Sequence, residues 1–299
     1  MTRPWLTWRR HARPLVLVSL LAIPGPAPQS ARAAESRRDD LVEQGNQAFR
    51  KGDRTNAVAL FTQAIAANPT NFVAYYNRGR LQQTEGHYPE AMADFNKLLE
   101  LDPNHSGVRQ LRGALHLRLG HLDEAIADFD RYLQRVPKAE PHHWQRGIAY
   151  YLAGRYDDAC RQFTLNHSTD TNDVEIAVWH FLSLTRRDSL EKARAALLPV
   201  GRDPRVPMMT VYRLFAAQAK PEDVFKDAES GQAQEAERTH QLFFAHYYVG
   251  FHYEALGDNT RAIEHISKAA SLLPAYDFMA DIARVHAQIL RQRKPSAKP

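Results

Sequence analysis

Glycines recur every 34 residues along the first half of the chain, at Gly45, Gly79, Gly113 and Gly147. A second set, Gly52, Gly86, Gly120 and Gly154, keeps the same step. So do Ala57, Ala91, Ala125 and Ala159, and so do Phe61, Phe95, Phe129 and Phe163. Four positions held over four units without an insertion point to a stacked array of helical hairpins. Such an array presents surfaces to partners and seldom carries chemistry of its own.

Each recurring residue has a physical cause. In the unit 38–71, Gly45 on the first helix and Ala57 on the second are small, so the two helices can approach closely. Gly52 supplies the turn between them at low steric cost. Phe61 fills the space between hairpins. Asn68-Pro69 ends the second helix, because proline lacks an N–H and disfavours helix at the residue before it. The next units are 72–105, 106–139 and 140–173, ending near Pro103, Pro137 and Asp173. The strings YPEAMADF, LDEAIADF and YDDACRQF are one turn-plus-helix written three times. These residues resemble the tetratricopeptide repeat family, although the fourth repeat position, often Trp there, is Leu41, Tyr75, Arg109 and His143 here.

After Asp173 the signature fades, with Phe181 and Phe215 standing where glycine is expected. Two divergent hairpins are read over 174–185 with 189–198, and over 208–219 with 221–236, Pro221 being well placed at a helix start. Gly250, Tyr253, Gly257, Ala262, Ile266 and Ala269 then restore the pattern. A last helix over 277–292 carries Met279, Ile282, Val285 and Ile289 at helical spacing and caps the final hairpin. The expected organisation is an export signal over 1–33, four regular repeats over 34–173 and divergent hairpins over 174–242. A regular repeat with its cap follows over 243–292, then a disordered tail over 293–299. The fold class is all-α, a right-handed tetratricopeptide-repeat superhelix (α-solenoid) of about seven hairpins with a C-terminal capping helix. The segments VYRLFAAQAKPEDVFKDAESG and YVGFHYEALGDNTRAIEHISKAA, in that order, resemble NlpI-type periplasmic tetratricopeptide proteins. That resemblance implies an exported, non-catalytic and often dimeric protein that docks proteases and cell-wall hydrolases. The lipidation cysteine of that group has no counterpart here.

Charge needs care. The chain carries a formal charge of +5, but residues 1–33 hold five arginines and no acid, so the remainder has 34 basic and 34 acidic residues. Net charge therefore gives no argument for nucleic acid or an anionic membrane as partner. The same first residues read as an export signal: basic residues to Arg13, an apolar run over 15–23, a Pro24-Gly25-Pro26 break, and Ala31-Arg32-Ala33 for cleavage. The run is short of the ~20 residues that span a bilayer; an uncleaved N-terminal anchor is the alternative. Once the signal is cleaved, no segment for membrane insertion is expected. This places the protein in the bacterial periplasm or beyond it. One cysteine, Cys160, forms no internal disulfide and reads as a small packing residue.

Site candidates follow from the repeat frame. The resemblance implies that first helices line a concave groove. Asn46 and Asn77 fall on the two asparagine positions of the family's carboxylate clamp. Its cationic positions are Val42, Gly107 and Leu111, and charge-assisted bonds are the strong ones. In the fourth repeat Trp144, Ile148 and Tyr151 share one helical stripe, extended by Trp179 and Leu182 of the next hairpin. They read either as an apolar floor for a partner's amphipathic segment or as core. Arg80, Arg118 and Gln145 would form the polar rim. Arg78, Arg112 and Arg146 sit beside successive glycines and read as an acid-binding ladder or as stems pairing locally. The histidines show no zinc spacing, no nucleophile or phosphate motif appears, and no cofactor or metal is expected. The expected partner-binding anchors are Trp144, Ile148, Tyr151, Asn77, Arg80 and Trp179. The expected function is an exported protein-protein interaction scaffold or adaptor, not an enzyme. It would serve an envelope protease or cell-wall hydrolase, or alternatively act as an assembly factor for outer-membrane or secretion machinery. Partners are proteins or peptides, and a homodimer is open.

Overall fold

The computed structural model describes residues 29–274 and 276–293; most of the export-signal segment and nearly all of the tail lie outside them. Among the described residues are fifteen α-helices, one 3-10 turn and no strand. They pack as seven consecutive hairpins and a final helix, the all-α tetratricopeptide-repeat solenoid expected from the repeat. The chain divides into two compact units, one ending at His105 and the other beginning at Ser106. The division falls between the second and third repeats.

The first unit holds α1 (Gln29–Arg50) with α2 (Arg54–Ala67), and α3 (Phe72–Thr84) with α4 (Tyr88–Leu101). Asp53 and Asn71 cap α2 and α3, their carboxylate and amide oxygens accepting from the N–H groups of Asn56 and Ala74. Such caps satisfy donors that a helix start leaves open. α2 stops at Ala67, with Asn68 extended before Pro69. The repeat's glycine and phenylalanine prove to be one device. A Cβ on Gly45 would stand 2.6 Å from the Phe61 ring, and on Gly79 3.0 Å from that of Phe95. The ring lies where a side chain would be, so each hairpin closes on its own glycine. The turn glycine works differently: Gly52 adopts φ +83°, a left-handed conformation that other residues rarely take.

The second unit repeats the scheme with α5 (Ser106–Arg118), α6 (Leu122–Arg135), α7 (Trp144–Leu152) and α8 (Tyr156–His167). Added Cβ atoms on Gly113 and Gly147 would meet Phe129 and Phe163 at 2.8 and 2.7 Å. α7 is only nine residues long, because Pro137–His142 forms a 3-10 turn with Pro141 inside it. α9 (Val174–Arg187) pairs with α10 (Leu190–Ala195), and α11 (Met208–Phe215) with α12 (Pro221–Ala228). α12 is shorter than the sequence suggests: the chain turns at Ser230-Gly231, where Gly231 has φ +73°. The released residues lengthen the next helix, α13 (Glu235–Ala255), which pairs with α14 (Asn259–Leu272). Phe181 and Phe215 meet edge to face at 5.1 Å inside the unit, which makes them intrachain packing. α15 (Phe278–Gln292) packs on α14 as the cap, and also reaches back to α5.

Candidate partner-binding faces

The arginine ladder resolves into local pairing. Arg78 grips Asp94 with two bonds of 2.9 and 2.7 Å, and Arg112 grips Asp128 at 2.7 and 2.9 Å. Arg146 meets Gln162 at 2.9 Å and Asp130 at 3.0 Å. Each arginine reaches a residue 16 positions on, so it ties the first helix of a hairpin to the second. Bidentate pairing uses the planar guanidinium fully. These cations are therefore committed to the scaffold.

On the first unit, Asn77 and Arg80 remain on an open face. Asn77 Nδ2 donates to Asn46 Oδ1 at 2.9 Å, joining α3 to α1 by an amide pair. Arg80 is exposed, one turn further along α3, with its guanidinium 5.8 Å from the Tyr76 ring. One turn after Asn46 stands Phe49, 51% exposed, and one turn before Asn77 stands Val73, 48% exposed. Sequence reasoning missed Phe49 and Val73, although the repeat frame puts them on the same helices as the amides. The joined amides thus have, within a turn on their own helices, an exposed aromatic on α1 and an exposed aliphatic and a cation on α3.

The fourth-repeat stripe fares differently. Ile148, Tyr151 and Trp179 are buried, and Trp144 is half-buried. Of the two readings of this stripe, an apolar floor or core, the residues take the second, because α13 and α15 lie over them. Trp144 meets Phe278 of α15 edge to face at 5.4 Å. Tyr151 packs on Trp179 at 5.3 Å and on His286 at 5.7 Å. The rim residues are engaged too: Arg118 pairs with Asp281 at 2.7 Å, and Gln145 accepts from Gln110 at 2.7 Å.

Beneath that stripe Glu254 of α13 is fully enclosed. Tyr151 Oη donates to it at 2.8 Å, and Arg186, Arg293 and His286 each approach it at 2.8 Å. Burial alone would raise the carboxyl, but His286, Arg186 and Arg293 together outweigh it and hold Glu254 well below the usual carboxylate range. Four helices, α7, α9, α13 and α15, converge on this one charge. A second node joins Glu175 to Tyr248 Oη at 2.6 Å and to Arg205, which also holds Asp173 at 2.8 Å and Asp203 at 2.5 Å. Burial drives the carboxyls of Glu175 and Asp173 upward. Neither node was visible in the sequence, because their members come from helices far apart along the chain.

Burial pushes the Cys160 thiol up to about 11, so it is no nucleophile at neutral pH. Among the described residues, no group of three or more His, Cys, Asp or Glu could hold a metal ion, and no helix is long and apolar enough to cross a membrane.

A tetratricopeptide repeat family model matches residues 48–115 and 82–146. No curated protein matches the chain. Solved structures similar to it include a tetratricopeptide repeat protein from Parabacteroides merdae, 20% identical, covering 83% of this chain and 84% of that one with a TM-score of 0.49. The MamA protein is 16% identical, covers 66% of this chain and 98% of that one, and has a TM-score of 0.51. PilF of Pseudomonas aeruginosa is 16% identical over 81% of this chain and 94% of that one, with a TM-score of 0.44. At these identities the likeness to MamA bears on the fold alone.

Proposed function

We propose that this chain, whose residues 48–146 match the tetratricopeptide repeat family model, is a non-catalytic scaffold binding protein segments on the open face of α1 and α3. The observation that carries this reading is the contrast in exposure. The second unit covers its own apolar stripe, whereas the first leaves Phe49 and Val73 in solvent beside Asn46, Asn77 and Arg80. Amides can pair with the backbone of an extended segment, the two apolar side chains offer it anchorage, and Arg80 favours an acidic group nearby. Asn77 and Arg80 are thus the anchors retained from the sequence. Trp144, Ile148, Tyr151 and Trp179 could reach a partner only if α15 moved.

The protein is exported in this reading, with residues 1–33 as a cleaved signal, and serves an envelope protease, a cell-wall hydrolase or an assembly machine as an adaptor. N-terminal sequencing of the protein from the envelope fraction should begin at Ala34. The binding face is tested by a photo-crosslinking amino acid at Val73 in the full chain, with Gln63 on α2 as control position. A discrete adduct at position 73, lost on Asn77→Ala/Arg80→Ala, is expected. The same adducts at both positions, or none at position 73, would remove the assignment.

A further inference from the structure

The α5–α7 side of the second unit already holds a helix, and the manner of its seating is informative. α15 meets α5 and α7 through separate anchors. Phe278 abuts Trp144 at 5.4 Å between ring centroids. Asp281 accepts from Arg118 Nε at 2.7 Å, and the same guanidinium donates to the Tyr276 carbonyl at 2.5 Å. Val285 lies over the α5–α6 turn, where a Cβ on Gly120 would be 3.4 Å away. Phe278, Asp281 and Val285 are spaced by three and four residues, one stripe of a helix. Anchors in that register are how an amphipathic helix reads a groove.

Capping does not explain these anchors. A cap must cover the last hairpin, and α15 does so through its packing on α14. The Arg118–Asp281 pair instead joins α15 to the third repeat, 163 residues away in sequence, with both side chains under a tenth exposed. An ion pair so enclosed adds little net stability, since desolvation offsets the attraction. It does fix orientation and reject a helix with the wrong charge there. Trp144 is only half-buried even with Phe278 in place, so the seat stays partly open at that end. The C-terminal half of α15 is pinned separately, by His286 and Arg293 on Glu254. That node does not depend on the contacts of the first turns with α5 and α7.

We infer that the α5–α7 face is a helix-binding site occupied in cis by α15. In trans it takes an amphipathic helix presenting an aromatic, an acid three residues on, and a β-branched aliphatic four residues beyond. This face is distinct from the α1–α3 face, and the two readings fail separately.

The test uses the full chain and a labelled synthetic peptide of residues 276–293. Phe278→Ala/Asp281→Ala weakens the resident helix and leaves the seat intact. The peptide should bind this variant at least tenfold more tightly than the unaltered protein, whose own helix competes. Adding Trp144→Ala or Arg118→Ala should abolish that binding, and a peptide with Asp281→Lys should not bind. Equal binding, or none, to a variant with unchanged helical circular dichroism overturns the proposal. Should the variant fail to fold, hydrogen exchange on the unaltered protein decides. Amides of Ile282 to His286 should exchange at least tenfold faster than those in the middle of α14. Equal rates would mean that α15 opens only with the hairpin it caps, and the proposal falls.

Discussion

The two units are built from the same hairpin and treat their inner helices in opposite ways. In the first, α1 and α3 meet through an amide pair and leave Phe49 and Val73 exposed. In the second, α5 and α7 share a similar amide pair, Gln110 with Gln145, but α13 and α15 cover these helices and bring buried charges with them. The repeat alone thus does not decide whether a face is a surface or an interior. What decides it is whether later residues return to cover it.

The sharpest way to break this comparison is at Glu254. Glu254→Gln leaves Arg186, Arg293 and His286 facing a neutral amide inside the protein. Breaking a buried charge set in this way costs about 3–5 kcal/mol, which denaturant unfolding of the full chain would read. Glu43→Gln in the first unit, whose partner Arg50 is exposed, should leave the transition unmoved. A comparable loss from both would mean that the two units do not differ in this way.

Next in size is the device they share. Gly45→Ala and Gly147→Ala each drive a methyl into a phenylalanine ring at under 3 Å, and overpacking of this kind costs about 1–3 kcal/mol. Similar losses at the two sites would show that hairpin closure is common to both units. This part of the fold was legible in the sequence because the glycine and the phenylalanine it needs lie within one period. The closure of the second unit was not legible. Tyr151 and Glu254 are 103 residues apart and Arg118 and Asp281 are 163 apart, and no local periodicity encodes such pairs. The stripe of Trp144, Ile148 and Tyr151 was correctly read as apolar. Whether it is floor or core depends on a helix more than 120 residues downstream, and nothing local to the stripe announces that helix.

Acid should separate the units further. Burial holds His143, His180, His246 and His252, all in the second unit, down at about 4. Unfolded, a histidine takes up its proton near pH 6.5, so between pH 6.5 and 4 the unfolded chain binds more protons. Stability is then full above about pH 6.5 and falls as the pH drops toward 4. The slope is at most about 1.4 kcal/mol per pH unit for each fully buried histidine. His143 and His180, the more enclosed pair, should dominate. Hydrogen exchange at pH 5 and pH 7.5 should show protection lost first within residues 106–293; uniform loss across the chain would contradict the assignment.

The smallest effect on stability is expected at the open face. Phe49→Ser and Val73→Ser should each shift stability by less than about 0.5 kcal/mol, as surface changes do. Phe49→Ser should nonetheless remove the adduct formed with the crosslinker at position 73, and Val73→Ser the adduct formed with it at position 49. A large stability loss would show that these side chains are structural.

The pairing of the first-helix glycine in each of the first four hairpins with a phenylalanine 16 residues on, and of Arg78 with Asp94 and Arg112 with Asp128 at the same interval, has a genealogical consequence. Any duplicated or deleted stretch of one full period carries both halves of each pair, so the new copy arrives already satisfied. The Glu254 node has no such freedom. Gain or loss of one hairpin between Tyr151 and Glu254 would leave its partners in different places. Lineages descended from this chain should therefore vary in repeat number ahead of the third hairpin and keep a fixed count behind it.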